Sequence, residues 1–450
     1  MKRLSLLALI LTVGIYAKAQ SELTLPFMPG VFQSSFVNPT VIPEHTFSMG
    51  FSIYTQVVTN GFVPNNVLIF RDDTMHFDPN LLLDDLRDKN LFYMGENTDI
   101  FHIRTKILNG YYWFAIRQKM ESSFFYPYDL FRMVIEGNEP YIGQTLDFSN
   151  LKIFTSLFNE YSFGMTKEYP HWIFGGRLSL LQGLSNINFN PTRLSIKVED
   201  EMYGQLANAD AQLRTSGIPK DGNGDPSFDH VEEPEWITDY FTNFKNKGFA
   251  LSGGATYRYD DRTRISLSFR DVGFITWKDS IETYTLNGNT NFTGLDIMSD
   301  LLYGNDVEVD SIFENILDED FHRDTIYNKY TTWLNPKFNL TASYDLARRT
   351  TVGFSFSGVV NQKLYTALTL SLSQGIGRFF SIVGTASINQ RSFTNLGLGL
   401  MLKPGPLQIF VVADNLYAAH NPLTTTNFNI RVGVNLVFGR INQPEGLPFR

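Results

Sequence analysis

The 450-residue chain contains no cysteine. That absence excludes a disulfide framework, a thiolate metal site and lipid attachment at an N-terminal Cys. Histidine is scarce, with 7 residues scattered along the chain, and neither an H-E-x-x-H nor a G-x-S-x-G motif occurs. Local signatures of a zinc protease or a serine hydrolase are therefore missing. The chain reads as non-enzymatic, although Ser and His assembled across strands would need no local motif. Beyond the N-terminal region, no uncharged apolar run reaches the roughly eighteen residues that a spanning helix needs. A helical membrane protein is excluded, which leaves a soluble secreted protein or a barrel.

Secretion follows from the first residues. Lys2 and Arg3 precede the apolar run from Leu4 to Ile15, and Ala17-Lys18-Ala19 forms a small-x-small cleavage site before Gln20. Residues 1–19 thus read as a signal peptide, too short and wrongly flanked for a membrane anchor. A buried N-terminal helix is the bland alternative.

What the chain has in abundance is alternation. From Asn427 to Phe438, Phe428, Ile430, Val432, Val434, Leu436 and Phe438 share one face, while Asn427, Asn429, Arg431, Gly433 and Asn435 share the other. Such alternation marks a strand with one apolar and one polar face. A tilted strand of roughly ten residues also crosses a bilayer. Similar segments recur near 46–56, 98–107, 111–119, 155–167, 172–182, 248–258, 262–271, 336–345, 350–360, 364–373, 379–389, 394–403 and 406–414. The count of fourteen is even, as a single-chain barrel with both ends on one side requires. Connections 1, 3, 5 and 7 are long, while connections 2, 4, 6, 8, 10 and 12 are tight. Long outer loops alternating with short periplasmic turns mark outer-membrane proteins. The fold expected is all-β: an antiparallel transmembrane β-barrel of about 14 strands, spanning 45–439, with four long outer loops containing short helices. Aromatic content of 14% suits girdles at the two bilayer interfaces. Phe379-Phe380 and Tyr111-Tyr112-Trp113 read as parts of that belt.

The segments outside the strands differ in character. Residues 20–44 carry four prolines and no sustained period, an irregular leader packed into the barrel as a plug or lying beneath it. Asp78-Pro79 reads as an N-cap followed by Pro at the first helical position, opening a short helix near 80–89. A second helix is expected near 308–319. Pro191 to Glu199 alternates like a strand, but an extra stave would break the parity, so it is assigned to a hairpin above the membrane. Residues 440–450 form a periplasmic tail. The segments 57–96, 121–152, 190–246 and 274–333 hold 35 of the 46 acidic residues and 13 of the 37 basic ones. Acid gathered in loops above a more basic body argues against nucleic acid as a partner, because phosphate would be repelled.

Two sets of residues are candidate sites. Asp221, Asn223, Asp225, Ser227, Asp229 and Glu232 place oxygen side chains at relative positions 1, 3, 5, 7, 9 and 12, as in a calcium loop. Pro226 stands where that loop needs Gly. A structural calcium that orders an outer loop competes with a solvated acidic turn, and no other cofactor is expected. In the strands, His102, Arg104, Lys106, Arg177, Arg264, Arg270, Lys337 and Arg431 lie opposite the apolar faces. Lipid rejects Arg and Lys near the midplane by roughly 2–4 kcal/mol, so these side chains should point into the lumen. They either give it a basic character or pair internally with acids such as Glu160 or Asp345.

The leader Phe27-Met28-Pro29-Gly30, through Gln33-Ser34-Ser35 to Asn38-Pro39, together with Val411-Val412-Ala413-Asp414-Asn415-Leu416 and Asn435-Leu436-Val437-Phe438-Gly439, resembles a Bacteroidota outer-membrane barrel family of uncharacterised function. That family is similar in style to the PorP/SprF proteins and, more remotely, to long-chain fatty-acid transporters. The resemblance implies a barrel of this size in the outer membrane of a Gram-negative envelope, bounded by its lipid, and implies no established activity. Two functions are expected. One is a gated or passive conduit for a small or amphiphilic solute. The other is a non-transporting scaffold of a secretion or cell-surface apparatus, docking envelope proteins through its acidic loops.

Overall fold

The computed structural model describes residues 22–28, 30–71, 74–199, 205–218, 240–292, 322–361, 363–389, 395–420 and 425–440. Fourteen staves form the wall. They are β1 (His45–Thr59), β2 (Lys89–Ile107), β3 (Gly110–Pro127), β4 (Lys152–Glu168), β5 (Trp172–Phe189), β6 (Lys247–Arg258) and β7 (Thr263–Trp277). The second half comprises β8 (Lys337–Ala347), β9 (Thr350–Asn361), β10 (Lys363–Ile376), β11 (Phe380–Asn389), β12 (Asn395–Leu402), β13 (Leu407–Ala413) and β14 (Asn427–Arg440). Each is antiparallel to the next in sequence. β1 also pairs with β14, from His45↔Arg440 to Val58↔Asn427, so the sheet closes on itself. Closure leaves no wall edge with unpaired backbone groups, the condition for a sheet facing an apolar medium.

The fourteen segments expected from alternation all form staves, and the even-numbered connections, all tight, fall at one end. At the other end the sheet continues beyond the wall through Thr145–Asp147, Arg193–Val198, Gln205–Ser216, Ile281–Phe292, His322–Ile326 and Tyr330–Trp333. Arg193–Val198 lies in this extension, paired with Gln205–Ser216 and Thr145–Asp147. It is a loop hairpin and not a fifteenth stave. The helix after Asp78 spans Pro79–Asp85, and the Asp78 side chain accepts a hydrogen bond from the Asn80 N–H. It ends before 89 because Leu86 turns extended and the chain enters β2 at Lys89. The calcium-loop residues 221–232, the helix near 308–319, the signal peptide 1–19 and residues 441–450 lie outside the described residues. Arg440 belongs to β14.

The wall turns its apolar faces outward. Phe51, Ile53, Phe163, Leu178, Phe249, Leu267, Leu370, Leu396 and Phe438 are exposed on the exterior, although each lies on a regular strand. A water-soluble protein rarely exposes so much contiguous apolar surface. One expectation fails here. Tyr111 and Trp113 are buried inside the barrel, where Trp113 packs against Phe32 and Phe36. They therefore do not belong to an interface belt. Both occupy the inward register of Ala115 and Arg117, and the leader supplies the apolar surface that covers Trp113.

Candidate functional site

The site is the barrel interior, and its distinguishing element is the leader. From Glu22 the chain descends through a 3-10 turn at Leu25–Phe27 to Gly30, whose carbonyl accepts from Gln408 Nε2 at 2.9 Å. It then rises through a single helical turn at Ser34–Val37 and descends again to Thr40 before joining β1. Leu25, Phe27, Met28, Val31 and Val37 pack on Val383, Met401, Phe410 and Val412 of β11–β13. Phe32 stacks on His102 at 3.7 Å and meets Trp113 edge-on, while Arg117 lies over the Phe36 ring at 3.9 Å. Backbone groups of the leader are satisfied by the wall. Thr166 donates to the Pro39 carbonyl at 2.6 Å, Ser373 to that of Phe27 at 3.1 Å, and the Thr24 N–H donates to Asp414 at 2.8 Å.

Burial of a large apolar side chain contributes roughly 1.5–3 kcal/mol, and a neutral hydrogen bond nets about 0.5–1.5 kcal/mol. The buried leader side chains thus hold the plug more strongly than these bonds, which mainly fix its register. Where the leader comes closest, the wall is glycine. A Cβ on Gly175 would lie 2.1 Å from the Pro39 oxygen, and one on Gly353 would lie 2.5 Å from the Phe27 ring.

A belt of buried charge crosses the lumen beside the plug. Glu160 accepts from Arg117 at 2.7 Å and Lys119 at 2.8 Å, and lies 3.6 Å from Arg177. Asp271 binds Arg177 at 2.8 Å, Lys119 at 3.2 Å and Lys337 at 3.6 Å. Lys337 also reaches Glu121 at 3.2 Å. Arg431 donates to Asp99 at 2.6 Å and, through its other terminal nitrogen, to Glu22 at 2.7 Å. Glu22 completes the belt by accepting from Arg270 at 2.7 Å. It is the leader's buried carboxylate in the belt, enclosed between cations of two distant staves. Burial alone would raise its pKa, but Arg431 and Arg270, with Lys337 behind them, outweigh that effect and hold it at about 2.

The candidate lumen residues divide among these environments. Arg177, Arg270, Lys337 and Arg431 join the belt. Arg264 forms a two-oxygen pair with Asp345 at 2.8 Å. His102 and Arg104 are buried against the leader, Arg104 donating to Ser35 at 3.0 Å. Lys106 shares their register but is exposed at the tight-turn mouth, 5.6 Å from the Tyr111 ring centroid. With acids and bases interleaved, the belt favours neither sign of charge in the lumen.

Asp99, Glu121, Asp271, Arg117, Lys119 and Glu22 belong to the belt but were not singled out as lumen residues from sequence. For Asp99 and Asp271 the reason is geometric. Both occupy an apolar register, and both sit at β-bulges, where pairing shifts between Asp99 and Phe101 and between Leu251 and Gly253 opposite Val272 and Phe269. Asp271 adopts φ +60°. An extra residue reverses the alternation, so adjacent Arg270 and Asp271 both point inward. The legible signal was a carboxylate at an apolar position in mid-strand.

A cavity of about 170 Å³ remains between the leader and the wall at the tight-turn end. Phe27, Met28, Val31 and Met401 give it an apolar side, and Ser266, Thr341, Ser343 and Arg264 a polar one. A 150 Å³ apolar cavity is large enough to bind benzene, so this space suits an organic group of similar size.

Fold and site together define a closed fourteen-stranded β-barrel whose own leader fills its lumen. The chain belongs to DUF5723, a family of unknown function, whose profile matches residues 39–414. Among solved structures it is similar to the toluene transporter TbuX of Ralstonia pickettii, with 9% identity, 90% of this chain and 92% of that one covered, and a TM-score of 0.43. It is also similar to the P. putida toluene transporter TodX (7% identity, 91% and 95% covered, TM-score 0.43) and to a Pseudomonas aeruginosa FadL homologue (7%, 92% and 95%, TM-score 0.42). No curated protein matches the chain.

Proposed function

We propose that this protein is an outer-membrane conduit held closed by its leader, passing a small or amphiphilic solute when the leader moves. The observation that carries this reading is the way the leader is held. It is joined to the wall by buried side chains and by the carboxylates of Glu22, on Arg270 and Arg431, and Glu44, 3.4 Å from Lys403, without a stave of its own inside the barrel. Removing residues 22–44 would leave a fourteen-stranded wall, wider than the eight-stranded barrels that side chains alone can fill. The exterior apolar surface and closed wall support a bilayer as the surroundings. The motifs at residues 27–39 and 411–439 support a place among Bacteroidota envelope barrels. The chain's own residues would gate and orient a solute, with no chemical step.

The test is conductance in planar bilayers of the full chain and of a variant lacking residues 20–44, both first shown to migrate faster unboiled than boiled. A closed full chain and an open, ohmic variant are expected. If neither conducts, the conduit is excluded and the scaffold reading takes its place. The latter draws support from the sheet extension above the long-loop end, where Tyr141, Leu146, Phe148 and Val198 form a small core of their own.

A further inference from the structure

On the exterior of the wall, at the long-loop end, the segment from Tyr240 to Asn246 is clamped against the staves. Gln182 of β5 donates to the carbonyls of Tyr240 and Asn243, both at 2.9 Å. The Tyr161 hydroxyl donates to the Phe241 carbonyl at 3.3 Å, and its ring lies 5.4 Å from that of Phe244. Phe241 remains 40% exposed. Below the segment, exposed Phe249 of β6 and the Phe274–Trp333 ring pair continue an aromatic strip on the same exterior. Trp333 is 76% exposed.

Directly beyond this strip come lysines. Lys247 pairs in register with Gln182 on one side and Thr276 on the other, which places it on the exterior face two residues above Phe249. Lys278 stands one residue past the end of β7 at Trp277 and, like Lys247, is exposed. The chain segments bearing them are fixed by Asn246, which is buried. Its Oδ1 accepts from the N–H groups of Lys278 and Asp279 at 2.7 and 2.9 Å, and its Nδ2 donates to Ser216 at 3.3 Å. Lys245 is turned outward by the bond from its N–H to Asn243 Oδ1 at 3.1 Å. The Asp279 carboxylate pairs with Lys245 at 3.1 Å, and among the described residues no acid pairs with Lys247 or Lys278. Lys245, Lys247 and Lys278 line one open basin of about 720 Å³ with Thr242, Asn243 and Phe244. These lysines sit at the foot of the two loops in which acid outnumbers base by the largest margins.

We infer that this basin binds the phosphate of an anionic lipid in the leaflet at the long-loop end. Ammonium groups just past an aromatic interface strip stand at headgroup depth. A phosphate there would meet three cations, while Phe241, Phe244 and Phe249 would cover the start of the acyl chains. Free phosphate would use the cations and leave the aromatic strip unused. The inference rests on the bilayer reading above.

The test is native mass spectrometry of the full chain in dodecyl maltoside, with phosphatidic acid or phosphatidylcholine of the same acyl chains added. Wild type should retain the phosphatidic acid adduct roughly tenfold more than the phosphatidylcholine adduct. The K245Q/K247Q/K278Q variant should lose that preference, and R348Q/R349Q at the opposite end should keep it. Single K247Q should lose part of it, which decides the matter if the triple variant does not form a barrel. Equal adducts with both lipids, an unchanged preference in the lysine variants, or displacement of the lipid by equimolar inorganic phosphate would each overturn the proposal, the last leaving an adventitious ion only. A wild-type chain with no heat-dependent mobility shift, recovered in a soluble fraction, would overturn the bilayer reading with it. A shifted, membrane-bound chain that shows no lipid preference would overturn the lipid site alone.

Discussion

At the scale of single residues, the belt makes sharp demands because it is buried. Removing one partner of a buried pair costs about 3–5 kcal/mol, since the remaining charge stays out of water. Glu22 holds two such charges from the leader's side. Glu22→Gln should therefore loosen the plug while leaving the wall intact, raising conductance and lowering the temperature at which the unboiled band is lost. The pH dependence has a definite sign. Glu22 titrates at about 2 in the folded chain against 4.5 ordinarily. Its stabilisation, roughly 3 kcal/mol by linkage, is thus complete above about pH 5 and disappears as pH falls towards 2. Conductance recorded from pH 6 downward should rise over that window in wild type and change less in Glu22→Gln. A flat wild-type profile would rule out the carboxylate as the latch. Asp271 makes a different demand, because its φ of +60° suits Asp or Asn and penalises a β-branched residue. Asp271→Val should lower the band-conversion temperature more than Asp271→Asn. Equal losses would mean that charge alone governs the site.

At the scale of elements, the wall was legible because the bilayer reading imposes a period of two on every stave. The staves of the second half match their sequence-derived bounds within a few residues, with short turns between them. Strands two and seven were read too short for a common reason. Alternation was followed from Phe101 and up to Phe269, and the bulges at Asp99 and Asp271 reverse it. Alternation therefore breaks where the backbone continues, to Lys89 and Trp277. The plug was legible only as a lack of period, since its fit depends on wall glycines that no local pattern singles out. Gly175 offers the direct test. In Gly175→Ala the new methyl meets leader backbone, which must shift, whereas Gly384→Ala points into open space. The chain has no cysteine, so Ser35→Cys adds a sole thiol inside the plug. That thiol should react with a maleimide several-fold faster in the Gly175→Ala background than in the Gly384→Ala background. Equal rates would show that the leader does not depend on this contact.

At the scale of the whole molecule, polarity is inverted relative to a soluble protein, with charge gathered in the middle and hydrocarbon outside. The belt, the leader and the apolar exterior make sense together only if the surroundings are lipid over the height of the wall. That premise predicts a dependence on depth that no soluble fold would show. Leu370 lies mid-way along β10 and is 63% exposed. Phe379, at the tight turn before β11, is equally open. An arginine near the bilayer midplane costs roughly 2–4 kcal/mol, and one near an interface costs about 0–1 kcal/mol. Leu370→Arg should accordingly reduce the heat-shifted band in the membrane fraction several-fold or abolish it, while Phe379→Arg should leave it nearly unchanged. In water the two substitutions would be alike, each replacing an exposed hydrophobe with a soluble side chain. Similar yields from both, with neither impaired, would therefore refute the lipid surroundings and the conduit with them. A steep difference would fix the height of the hydrocarbon zone on the wall and place the ionic belt within it.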